Sequence, residues 1–267
     1  MRKWELVAEV VIVESPGEAG VLVSDAIVST VQGKPDMVLG LATGSSPQVV
    51  YSELANRVRD QRIDLSQMRC FALDEYFGLP PSHPASYHET IQQGIVGPLG
   101  LNPSRVVIPD GNLDNAHHTG EDFEAKLLEA GGVDIQILGI GSNGHVGFNE
   151  PGSSLASLTR VKTLAQRTRA DNARFFDTPD DVPTHCVTQG IGTILRARKI
   201  VLLAFGESKA KAVAQAVEGP VSSLCPASAI QLHPRVTVFV DEAAASELSQ
   251  ADYYRWAWNN KPIWQSL

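Results

Sequence analysis

Met37-Val38-Leu39-Gly40-Leu41-Ala42-Thr43-Gly44-Ser45-Ser46-Pro47 begins as a short apolar run, breaks into a small polar loop and ends on a proline. The run has the length and character of a buried strand. Pro47 suits a first helical turn, and Val50, Leu54 and Val58 then fall on one face at i, i+4 and i+8. The segment therefore reads strand, loop, helix. The same grammar recurs along the chain. Further strands are expected at Cys70–Leu73, Ile135–Leu138, Ile200–Phe205 and Val236–Val240. Phe123 and Leu127, and Val213 and Val217, mark helical faces between them, and Gly219-Pro220 stops the second. Strands alternating with helices imply an α/β fold: a single doubly wound, mostly parallel sheet with helices on both faces. No repeat or long linker divides the chain, so one domain is expected over residues 1–267, with an aromatic tail at about 250–267.

Composition limits the function. The 267 residues are 43% hydrophobic, enough for a sizeable core. Twenty-two Lys+Arg against thirty Asp+Glu give a net charge of −8. That balance argues against nucleic acid as a partner, because phosphate-backbone binding needs a basic face. A small phosphorylated ligand needs only a local positive pocket. No run approaches a membrane span, and Glu5 and Glu9 interrupt the opening apolar stretch, which is not a signal peptide. Cys70, Cys186 and Cys225 lack any C-x-x-C spacing and read as buried thiols in a reducing, cytoplasmic compartment.

The segments just after the strands carry the chemistry. Ala42-Thr43-Gly44-Ser45-Ser46-Pro47, Asp74-Glu75-Tyr76, Gly139-Ile140-Gly141-Ser142-Asn143-Gly144-His145 and Gly206-Glu207-Ser208-Lys209 each succeed one. In a parallel sheet these loops share the carboxyl edge, where ligands of open α/β sheets bind. Thr43, Gly44, Ser45 and Ser46 offer free N–H groups, hydroxyls and a helix start to an anion; Ser45 or Ser46 would also serve as an ordinary N-cap. Gly139, Gly141 and Gly144 match G-x-G-x-x-G, but Pro151–Ala170 contains no acid and instead carries Arg160, Lys162, Arg167 and Arg169, which excludes the dinucleotide reading. His145 and Glu150 in one loop can shuttle a proton, the carboxylate raising the basicity of the imidazole, with Asn143 orienting the ring. No second histidine supports a metal there, and His83 and His88 have no cysteine partner. Asp74 beside Glu75 reads as a general base with a raised pKa, or as an acid pair at a helix start. Lys209 and Arg174 could neutralise phosphate. In the tail, Tyr253, Tyr254, Trp256, Trp258 and Trp264 read as aromatics docked on the domain or on a neighbouring subunit rather than a base-stacking surface.

In LATGSSP (Leu41–Pro47), LDEYFGLPPSHPASY (Leu73–Tyr87) and GIGSNGHVGFNEPGSSLAS (Gly139–Ser157), the chain resembles the glucosamine-6-phosphate deaminases of the sugar-phosphate isomerase superfamily. VKTLAQRTRADNARFF, VTQGIGTIL, GESKA and PASAIQLHP extend the likeness in order from about Val38 to Glu242. The resemblance implies a catalytic set of Asp74, Asn143, His145 and Glu150. It implies substrate and phosphate contacts at Thr43, Gly44, Ser45, Ser46, Glu75, Gly141, Arg174 and Lys209. The implied activity is conversion of glucosamine 6-phosphate to fructose 6-phosphate and ammonia, without a metal or organic cofactor, by a cytoplasmic homo-oligomer. His145 with Glu150 would open the sugar ring, and Asp74 would carry a proton from C2 to C1. Some family members have Asp where this chain has Asn143. Ser153, Arg160 and Lys162 match positions that bind an N-acetylated sugar phosphate activator in regulated members. A 6-phosphogluconolactonase-like hydrolase, a non-catalytic sugar-phosphate sensor and a deaminase for the galactosamine epimer are the competing functions.

Overall fold

The computed structural model describes residues 8–262 and 265; Glu5 and Trp264 lie outside them. In chain order the elements are β1 (Ala8–Val13), α1 (Pro16–Gly33), β2 (Val38–Leu41), α2 (Gln48–Gln61), β3 (Arg69–Ala72), β4 (Asp74–Tyr76), α3 (Tyr87–Ile91) and α4 (Gly97–Leu99). Next come β5 (Val106–Val107), α5 (Thr119–Glu129), β6 (Ile135–Leu138), β7 (Arg160–Thr163), α6 (Gln166–Asn172), β8 (His185–Thr188) and α7 (Ile191–Ile194). The chain ends with β9 (Ile200–Ala204), α8 (Ala210–Val217), β10 (Val236–Asp241) and α9 (Ala251–Asn259).

Among the described residues, seven strands form an all-parallel sheet in the order β1-β10-β9-β6-β2-β3-β5. This is the expected α/β fold, with helices around a parallel sheet. Strands β2, β6 and β9 are buried along their whole length, as a sheet covered on both faces requires. The expectation of one sheet needs correcting. Residues Asp74–Tyr76 do not end β3; they form β4, which joins β8 and β7 in a separate antiparallel sheet. Gln189 couples the two sheets, donating its backbone N–H to the Leu73 carbonyl and its side-chain amide to the Ala72 carbonyl. A second, small aromatic core of Tyr76, Phe148 and Leu164 lies under this sheet.

Strand order reverses between β2 and β6. From β2 the chain moves to β3 and β5 on one side; from β6 it moves to β9 and β10 on the other, where β1, the first strand of the chain, forms the outer edge. Loops leaving two such strands diverge and leave a crevice at their carboxyl ends. The two strands are also tightly fitted. The Gln136 side chain of β6 fills the space where a Cβ on Gly40 of β2 would lie. At the opposite edge Asp134 holds the start of β2: its Oδ2 accepts the Val38 N–H and the Lys34 ammonium, both at 2.7 Å, while Arg198 lies 3.2 Å from Oδ1.

The aromatic tail is only partly docked. Tyr254 and Trp258 pack on the main core, as expected for docking on the domain, whereas Tyr253 and Trp256 are 60% and 63% exposed on the outer side of α9.

Because Asp134 is buried and serves three donors, Asp134→Ala is expected to destabilise the protein by about 1–3 kcal/mol, the cost of stranding a buried N–H and losing two ion pairs. Urea unfolding should show a lower midpoint with an unchanged slope.

Candidate active site

A cleft of about 490 Å³ opens at the crevice between β2 and β6. One wall is the loop after β2, with Thr43, Gly44, Ser45 and Ser46; the other is the glycine loop after β6, with Gly141 and His145. Asp74 forms part of the floor, and Lys209 from the loop after β9 and Arg174 close the far side. The four loops singled out in the sequence thus meet in one cavity. The β2 loop is anchored by Tyr51 of α2, whose hydroxyl both accepts from the Ala42 N–H (3.0 Å) and donates to the Ala42 carbonyl (3.1 Å). The helix begins at Gln48, with no side-chain cap. The N-cap reading of Ser45 and Ser46 therefore fails, and both hydroxyls remain available to the cleft.

The glycine loop is shaped by how closely it wraps the histidine. A Cβ on Gly141 would fall inside the His145 ring, so only glycine admits the imidazole. The Gly141 N–H donates to the His145 carbonyl (2.9 Å), and the Gly144 N–H to the Gly141 carbonyl (2.9 Å). Asn143 does not orient the ring. Its Oδ1 accepts the His145 backbone N–H (3.2 Å), and its Nδ2 donates to Glu150 Oε2 (2.9 Å). Glu150 Oε2 stands 3.8 Å from His145 Nδ1, which is buried and has no hydrogen-bond partner. Burial lowers the imidazole pKa; the nearby Glu150 pulls it up, but not enough to reverse the direction. The carboxylate thus raises the basicity of His145 as expected, but burial outweighs it and the imidazole stays below its ordinary value.

Asp74 is buried, and its carboxyl pKa is pushed up to about 8 by desolvation first and the charge of Glu75 second, against a hydrogen bond from Thr188. The backbone passes close by: a Cβ on Gly147, which has φ +55, would lie 3.2 Å from Asp74 Oδ2 and 2.9 Å from Thr188 Oγ1. Glu75 faces the other way. Its carboxylate accepts the backbone N–H groups of Tyr76, Tyr87 and His88 at 2.8–3.0 Å, capping the start of α3. Glu75 is not part of the cleft wall, so its expected role as a substrate contact is withdrawn. Alternating side chains on one strand point to opposite faces, and only Asp74 points inward.

Ser153, Arg160 and Lys162 lie outside the cleft. Arg160 and Lys162 are two residues apart on β7, Arg160 donates to Asn149 Oδ1 (2.7 Å), and Ser153 is buried with its Oγ unpartnered. Several cleft residues were not anticipated: Tyr87, Ser142, Arg167, Asp171 and Ser208. For Arg167 a signal existed in the stretch Pro151–Ala170, which carries four cations and no acid. Among the described residues no group of three or more His, Cys, Asp or Glu is placed to hold a metal ion, and no helix is long and apolar enough to cross a membrane.

The sequence pattern of the family described as glucosamine-6-phosphate isomerases/6-phosphogluconolactonase matches residues 17–239. The chain belongs to this family. It is similar to a glucosamine-6-phosphate deaminase of Bifidobacterium longum, at 55% identity across 97% of this chain and 99% of the relative. A solved monomeric glucosamine-6-phosphate deaminase superposes with a TM-score of 0.87 at 41% identity, covering 90% of this chain and 99% of that one. The 6-phosphogluconolactonase of Trypanosoma brucei superposes at 0.71 with 19% identity, over 91% and 100%, which reflects the family fold alone.

The raised Asp74 pKa has a consequence for stability. Folding moves this carboxyl from its ordinary value of 3.8 to about 8, so the folded protein keeps a proton that the unfolded chain loses. Stability from this group is fully present below about pH 4 and is lost as pH rises to about 8. Asp74→Asn removes the penalty. Its Tm is expected to match wild type near pH 4 and to exceed it by about 5 °C or more at pH 9, as measured by calorimetry.

Proposed function

We propose that this protein converts glucosamine 6-phosphate and water to fructose 6-phosphate and ammonia. The observation that carries the reading is the meeting, in one cleft, of a proton-bearing carboxyl, a low-pKa imidazole and an anion-binding loop backed by two cations. The close likeness to deaminases over nearly the whole chain supports the same reaction.

In this reading the phosphate rests on the N–H groups and hydroxyls of Gly44, Ser45 and Ser46, with Lys209 and Arg174 neutralising its charge. Burial lowers the Lys209 pKa, which marks an ammonium kept short of water until an anion arrives. The cyclic sugar is inert toward isomerisation because its aldehyde is masked. His145, neutral at ordinary pH, accepts the proton of the anomeric hydroxyl and delivers one to the ring oxygen, opening the ring. Glu150, fixed by Asn143, stabilises the transient imidazolium.

Asp74 then removes the proton from C2, whose attached ammonium and neighbouring aldehyde both acidify it. An empty cleft leaves the carboxyl protonated near neutral pH, but the substrate ammonium favours the ionised form, so the substrate prepares its own base. The electron pair from the C2–H bond forms the C1–C2 enol, and O1 takes up a proton. The ammonium gives up a proton, balancing the one taken up by O1, and return of the C2 proton to C1 of the resulting enamine gives a C2 iminium; water adds at C2 and expels ammonia. Atoms balance with one water consumed and no change of oxidation state overall, so no redox cofactor is required by the chemistry.

Purified protein is expected to release ammonia from glucosamine 6-phosphate, with fructose 6-phosphate as the second product. His145→Ala should slow turnover by at least about 10²-fold. Asp74→Asn should abolish exchange of the C2 proton with deuterated solvent, and retained exchange would assign the base elsewhere. Lys209→Ala should raise KM more than it lowers kcat, by about tenfold or more, if it binds the phosphate equally in ground and transition states.

A further inference from the structure

The Glu150 carboxylate is gripped at both oxygens, and sequence spacing points to neither grip. Oε2 accepts the Asn143 amide within the glycine loop. Oε1 accepts the hydroxyl of Thr168, which is buried in α6, eighteen residues further along. We propose that Thr168 is a positioning residue for the reaction: it fixes Oε1 so that Oε2 stands off from the unpartnered Nδ1 of His145 instead of closing onto it.

The geometry explains why such a residue is needed. Oε2 lies 3.8 Å from Nδ1, beyond hydrogen-bonding distance. A buried carboxylate beside a buried, unsatisfied imidazole nitrogen is driven to close that gap. Asn143 alone cannot prevent closure, because one bond leaves the carboxylate free to turn about it. Two donors on separate elements define its plane. With Thr168 in place the imidazole keeps a mobile proton, whereas a closed Glu150–His145 pair would hold the imidazolium and resist giving the proton to the ring oxygen. The groups facing His145 are Glu150 from its own loop, Asp171 from α6 and Lys209 from the β9 loop. Glu150 is faced by Asn143, His145 and Thr168, with Cys186 of β8 nearby. Of these neighbours, Thr168 alone donates to Oε1.

Thr168→Val keeps the shape and removes the donor, and Thr168→Ser keeps the donor and removes the methyl. This proposal rests on the deaminase reading for its kinetic arm, so wild type is assayed first for ammonia release. Thr168→Val is expected to lower kcat about tenfold with KM within about twofold of wild type, and Thr168→Ser to retain most of kcat. Independently of activity, ¹⁵N-histidine NMR, with the His145 signals identified by their loss in His145→Gln, should show its titration midpoint raised by about half a pH unit or more in Thr168→Val. Thr168→Ala should show the same shift, and Thr168→Ser should coincide with wild type. An unchanged His145 titration in both Val and Ala variants would overturn the proposal, as would a Ser variant as impaired as Val. Wild type without ammonia release would remove the deaminase reading, while the NMR comparison would still decide the role of Thr168.

Discussion

Strands β2 and β6 lie side by side, yet the chain departs from them toward opposite edges of the sheet. No helix can cover the gap this leaves, because each loop must turn away from the other to reach its next strand. The chain fills the two sides of that gap with backbone rather than bulk: Gly44 on one loop, Gly139, Gly141 and Gly144 on the other. Every functional side chain then enters a space whose walls are peptide groups. Anion binding by N–H groups and the close seating of His145 over Gly141 both result from this single topological fact.

Within the cleft, electrostatics works by keeping groups uncharged until they are needed. Burial raises the pKa of Asp74, lowers that of His145 and lowers that of Lys209, so all three are biased toward their neutral forms in the empty site. A substrate with a cationic amine at one end and an anionic phosphate at the other supplies the two charges that reverse two of these biases. The site is therefore matched to a zwitterionic ligand, and the ligand brings the field that the protein withholds.

The central architecture was legible in the sequence because strands buried on both faces announce themselves as uninterrupted apolar runs. The strands that escaped notice lack that signature: β1 carries Glu9 in its interior, β5 has two residues, β7 alternates half-buried and exposed positions, and β8 is four residues long with His185 and Thr188 at its ends. The loops and their chemistry were legible for the same reason, since glycine and polar residues stand out after apolar strands. Side-chain direction was not. Asp74 and Glu75 look equivalent in sequence, and only the pleat of β4 separates a cleft acid from a helix cap. Nor could Thr168 or Thr188 be found by spacing, because their partners Glu150 and Phe148 lie 18 and 40 residues away. Asn143 was read as acting on the ring, whereas its position in a tight turn aims it at the backbone and at Glu150.

The fit of Gln136 into the hollow beside Gly40 ties two positions that share no chemistry with the substrate. Descendants of this chain that acquire any side chain at residue 40 must shorten residue 136 in the same lineage, and a lineage that shortens 136 first inherits a void beside the crevice. Across related chains the two columns should therefore drift in step, with a diverging pair marking where the contact between these two central strands has been rebuilt.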